Sequence, residues 1–167
     1  SRGLGDVYKR QVPLWVAVGA TFKLIEATPT TLPKNILVFA DKVGFNLFVV
    51  LATLITLEFV AVAAMFFLAR FARSMAVFML AAFVLILIGE IAVGNTSCGC
   101  FGKVSPSPWV MLAIDGVLLL AVLFTAMRGK APEMPKGGAF LAAAILVAVT
   151  GGASFYRLVI DRAPPQN

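Results

Sequence analysis

The chain has two cysteines, Cys98 and Cys100, set either side of Gly99 in the segment Asn95 to Gly102, NTSCGCFG. Thiols at this spacing exchange disulfides, bind a soft metal, or pack as small residues in a turn. A disulfide between residues i and i+2 requires an extended chain, with a Cα separation at the upper end of the usual window of about 4.4 to 6.8 Å. Strained, exposed disulfides have high potentials and exchange readily, which suits a relay and makes a poor structural staple. Gly99 and Gly102 supply the backbone freedom for that geometry. Lys103 would favour a thiolate electrostatically, unless it is simply a solvated loop lysine. A metal site needs three or four ligands, and the chain has no histidine, so two thiolates would need carboxylates or a second copy. The same absence removes imidazole haem ligation, Ser-His-Asp catalysis and zinc hydrolase chemistry.

The elements that hold this segment are apolar. Hydrophobic residues make up 60% of the chain, charged residues 13%, and the mean hydropathy is +0.97, far outside the soluble range. The expected fold is all-α: an integral membrane four-helix bundle core plus a C-terminal fifth transmembrane helix. A span needs roughly 20 apolar residues to cover ~30 Å of hydrocarbon, and runs near residues 12 to 27, 45 to 69, 74 to 94, 109 to 127 and 138 to 160 fit, the first barely. Residues 1–11, SRGLGDVYKRQ, lack an initiator Met, fit no signal peptide and resemble a translated adapter or assembly scar. The expected division is a membrane domain at 12–127, a Pro- and Gly-containing linker at 128–137, the additional helix at 138–160 and a polar tail at 161–167. Asn35 to Val43, after Pro29 and Pro33, reads as a short interfacial helix. Arg70 to Arg73 reads as a tight basic turn. Trp109 reads as an interfacial anchor, and Ala144, Ala148 and Gly152 as a small-residue stripe for close helix contact.

Basic residues set the expected orientation. Arg70, Arg73, Arg128, Lys130 and Lys136 fall on one side, and Lys34, Lys42, Lys103, Arg157 and Arg162 on the other. The first set lies in short loops near helix ends, where the positive-inside rule has most force. That places the cysteine segment outside, on the periplasmic face of a bacterial inner membrane.

Lys23, Glu58, Glu90 and Asp115 fall within the apolar runs. At 1.5 Å per residue, Glu90 and Asp115 lie roughly 7 to 10 Å deep in the leaflet that carries the cysteines. Glu58 is near mid-membrane. A carboxylate there costs about 2.5 to 3.5 kcal/mol on the insertion scale, and the Leu, Ile, Val and Phe residues of its run each return ~0.3 to 0.6. The helix therefore tolerates Glu58, either as a structural acid or as part of a site. In the second reading Lys23 neutralises Glu58 or Glu90, and Asp115 or Glu90 accepts protons released by the thiols.

These features resemble the MauE family, which belongs with DoxX-like small membrane proteins. The resemblance rests on Gly-x-x-x-Lys-Leu at Gly19 to Leu24, a Pro-containing loop, Glu58, and NTSCGCFG before a helix that begins at Trp109. It covers roughly residues 12 to 127. It implies a four-helix membrane core with a general likeness to vitamin K epoxide reductase. It also implies thioredoxin-like partners and a role in forming or rearranging disulfides of exported proteins, originally methylamine dehydrogenase. Carried over by position, Cys98 and Cys100 are the redox pair, with Lys23 and Glu58 as intramembrane polar residues. Asp115-Gly116 departs from the basic-Asn pair expected there, and the fifth helix extends beyond the usual core.

The expected function is a membrane thiol-disulfide relay in contact with the bilayer and a thioredoxin-like protein, with no nucleic acid partner. No cofactor is demanded, although a quinone between the helices stays open. The competing expectations are a non-catalytic membrane scaffold and a small-molecule binder or transporter that uses Glu58, Glu90 and Asp115 as a polar path.

Overall fold

A computed structural model describes residues 10–95, 106–128 and 137–160. They form six helices: α1 Val12–Glu26, α2 Lys34–Val43, α3 Leu47–Phe67, α4 Ala69–Ala92, α5 Pro108–Arg128 and α6 Gly137–Phe155, the last running on into a π turn at Tyr156–Ile160. The all-α membrane fold read from the sequence is the one observed. Among the described residues, three segments are long and apolar enough to cross a bilayer, Leu47–Phe67, Phe71–Ala92 and Leu141–Leu158, and Pro108–Phe124 of α5 is a further apolar stretch.

Local chemistry sets the helix boundaries. The Asn46 side chain accepts from the backbone N–H groups of Phe48 (2.9 Å) and Val49 (3.4 Å), capping α3. Gly44, at φ 79°, ends α2 in the left-handed conformation that a residue with a Cβ resists. The Arg70 to Arg73 stretch differs from expectation. The break between α3 and α4 is confined to Leu68, and the arginines lie in the opening turn of α4. Backbone hydrogen bonding resumes at once where charge alone suggested a turn, with the Phe71 and Ala72 N–H groups donating to the Leu68 carbonyl at 2.8 and 3.0 Å.

α3 is the central element, packed against α1, α4 and α6. Val12 and Val16 of α1 meet Ala61, Val62 and Met65 of α3, Ala72, Ala76 and Leu80 of α4, and Val122 of α5 in one buried cluster. A second cluster joins Ala27 and Leu32 to Leu51, Ala52 and Ile55 of α3 and to Leu158. Side chains such as Phe78, Leu85, Val117 and Phe124 point outward, the arrangement of a bundle whose solvent is lipid. α6 lies along α3, with Gly151 against Thr56 and with Ala143, Ser154 and Leu158 buried. Ala144, Ala148 and Gly152 are exposed, so the expected stripe faces away from the bundle and the contact face is offset by one residue. Arg157 closes this end of the molecule by donating from Nη2 to the Ile25 carbonyl at 3.3 Å.

Candidate functional site

Lys23 stands in the last turn of α1, where its ammonium group complements the negative end of the helix dipole. Its Nζ pairs with Glu58 Oε1 of α3 and lies 6.0 Å from the Phe83 ring centroid of α4. Lys23 is 8% exposed and Glu58 5%. Of the two pairings open to Lys23 in the sequence, this is the one formed. Among the described residues, Glu58 Oε2 has no hydrogen-bond partner. An orphaned carboxylate oxygen at this depth is costly, because neither water nor a donor repays its lost hydration.

Asp115, buried in α5, accepts a 2.9 Å hydrogen bond from the indole Nε1 of Trp15 in α1. Trp15, Gly19 and Lys23 are spaced by four residues and so share one face of α1. That face, with Glu58, Phe83, Met111 and Asp115, surrounds a cavity of about 30 Å³. Sequence reasoning missed Trp15, although its spacing from Lys23 carried the signal.

Glu90 forms a separate site. It is fully buried at the end of α4. Its Oε1 accepts from the Asn35 backbone N–H at 3.0 Å, and its Oε2 from Asn95 Nδ2 at 2.6 Å. Asn35 lies in the first turn of α2, whose unpaired N–H groups and dipole favour a carboxylate. The two helices approach closely here, since a Cβ on Gly89 would lie 3.0 Å from Asn35 Nδ2. Asn95 is three residues before Cys98. Cys98, Cys100 and Lys103 lie outside the described residues.

A larger apolar groove, about 500 Å³, runs between α2 and α3 and is lined by residues including Ile36, Phe39, Val49, Val50 and Leu54. Its polar residues are engaged locally: Asn46 caps α3, and Thr53 Oγ1 donates to the Val49 carbonyl at 2.8 Å.

The structure thus separates the polar residues into one group around the cavity, Lys23, Glu58, Asp115 and Trp15, and a second, Glu90, Asn35 and Asn95, at the root of the cysteine segment. No curated protein and no solved structure matches the chain. The sequence model of the family described as methylamine utilisation protein MauE matches residues 14–128, which run from the first turn of α1 to the end of α5 and include both groups. The chain belongs to the MauE family of methylamine utilisation membrane proteins.

Proposed function

We propose that this MauE-family protein is a thiol-disulfide relay of the bacterial inner membrane, with Cys98 and Cys100 on the periplasmic side, supporting maturation of exported proteins. The observation that carries the reading is the anchoring of Asn95 by Glu90, which ties the root of the segment bearing the only thiols to the bundle. A relay needs its thiols presented from a fixed base, and a buried carboxylate that holds two donors supplies one.

In the proposed cycle one cysteine thiolate attacks a disulfide of a thioredoxin-like partner. A mixed disulfide forms and the partner's other sulfur leaves as a thiolate. The second cysteine attacks the mixed disulfide, closing Cys98–Cys100 and releasing the partner with two more electrons. A second thioredoxin-like dithiol or a quinol then supplies an electron pair to reset the cysteines; run in reverse, the Cys98–Cys100 disulfide oxidises a partner dithiol and a quinone takes the pair. The apolar α2–α3 groove of about 500 Å³, next to the helix that Glu90 holds, offers space for a quinone.

Labelling of intact cells with a membrane-impermeant maleimide, with and without prior reduction, tests the reading. Labelling of Cys98 and Cys100 only after reduction is expected, together with loss of partner oxidation or reduction in C98S and C100S. Free thiols reached only after permeabilisation, or full function in both serine variants, would leave a scaffold or a small-molecule binder in its place.

A further inference from the structure

We infer that the cavity lined by α1, α3, α4 and α5 is a hydrated proton site, in which one water bridges Glu58 and Asp115 and one exchangeable proton is held between their carboxyl groups. The inference requires no cysteine and goes beyond the thiol reading.

Three independent observations converge on it. The first is room: a water needs roughly 10–15 Å³ of such space, and the cavity offers about 30 Å³. The second is demand. Glu58 is one of the lining residues and is 5% exposed, and its Oε2 has no partner among the described residues while its Oε1 is held by Lys23. A buried oxygen of this kind is the sort of group that internal water satisfies. The third is charge. Among the described residues, the charged ones lining the cavity are Lys23 from α1, Glu58 from α3 and Asp115 from α5, and α4 contributes Phe83. One ammonium faces two carboxyl groups. Between walls of Val16, Phe83 and Met111, an uncompensated negative charge is expensive, and a proton is the smallest species that neutralises it.

The geometry also says how the proton is passed on. From one face of α1, Lys23 holds Glu58 and Trp15 holds Asp115 Oδ1 at 2.9 Å, so both carboxyl groups are fixed against the same space. A proton released by one carboxyl group goes to the water, which gives one of its own to the other. Atoms and charge balance within the cavity. Asp115 lies seven residues into α5, about 10 Å from the end adjoining the cysteine segment.

Infrared difference spectroscopy of the full chain in liposomes, in light and heavy water, tests the proposal. The expected result is a carboxylic-acid carbonyl band that shifts on exchange into heavy water and is lost in D115N or in E58Q. It should persist in C98S/C100S and be indifferent to replacing sodium by choline. Each acid variant keeps an oxygen that can accept from Trp15 or Lys23, so folding should survive, and either one alone suffices to assign the band. Loss of the band in neither variant, failure to exchange, or its disappearance on adding sodium would overturn the proposal, the last by identifying a cation site. Because the band is read without the cysteines, failure of the relay leaves this result unaffected.

Discussion

Glu58 and Glu90 are both buried carboxylates on bundle helices, and the difference between them separates holding a structure from holding a ligand. Each Glu90 oxygen has a donor, one from the backbone of α2 and one from the Asn95 side chain. Glu58 has a full positive charge on one oxygen and, among the described residues, nothing on the other. Glu90 is 55 residues away in sequence from Asn35 and five from Asn95, so it joins distant and local chain in one knot. Glu58 and Lys23 face a cavity shared with Asp115. A saturated carboxylate fixes geometry, whereas a half-saturated one beside open space leaves a position for something else.

The largest effect expected from breaking this contrast is at Lys23. K23A leaves Glu58 buried without its charge partner, a loss of about 3–5 kcal/mol. Replacing both members, as in K23M/E58M, removes the demand as well as the supply and should recover most of that stability. Thermal unfolding in detergent, followed by circular dichroism, measures both. If the double variant were as unstable as K23A, the pair would have to be acting through packing, and the charge argument would fail.

A smaller effect is expected at Glu90. E90A strands the Asn35 N–H and the Asn95 amide, and each buried donor left unmade costs about 1–3 kcal/mol unless water reaches it. Because both hydrogen bonds are only partly buried, the lower part of that range is expected. The sharper readout is local: amide hydrogen exchange should quicken across α2 in E90A while α3 keeps its protection. E90Q, which keeps an acceptor for Asn35, should fall between E90A and the parent chain. Uniform exchange across α2 and α3 would mean that Glu90 does not anchor α2.

The sequence made the helices legible because apolar run length is read directly against bilayer thickness, and α2 stood out because prolines and mixed polarity isolate it. Lys23 and Glu58 stood out for a similar reason, since charge in an apolar run is rare. Their pairing was one of two choices, and only the packing of α1 on α3 decides it. The Glu90 partners were hidden for a different reason. One is a backbone N–H, which no residue type advertises, and it is brought close by the packing of α2 on α4. The α6 contact face was misread because alanine and glycine occur on both sides of that helix. Gly151, one residue from the expected Gly152, is the position that meets Thr56, with a Cβ there placed 3.1 Å from Cγ2.

The smallest predicted effect distinguishes close approach from hydrogen bonding at the Glu90 site. Gly89 adjoins Glu90 on α4, and an added Cβ would lie 3.0 Å from Asn35 Nδ2. That atom ends a rotatable side chain, so it yields by a few tenths of an ångström, while the Asn35 N–H bonded to Glu90 belongs to the backbone. Alanine in a helix interior is also favoured over glycine by about 0.5–1 kcal/mol. The crowding and the propensity gain oppose each other, and G89A should unfold within about 1 kcal/mol of the parent, with α2 exchange unchanged. A loss as large as that of E90A, with α2 exchange quickened, would show that the approach of α4 to α2 depends on the missing side chain at Gly89. The Glu90 hydrogen bonds would then be a consequence of that approach, and the contrast with Glu58 would rest on packing in place of hydrogen bonding.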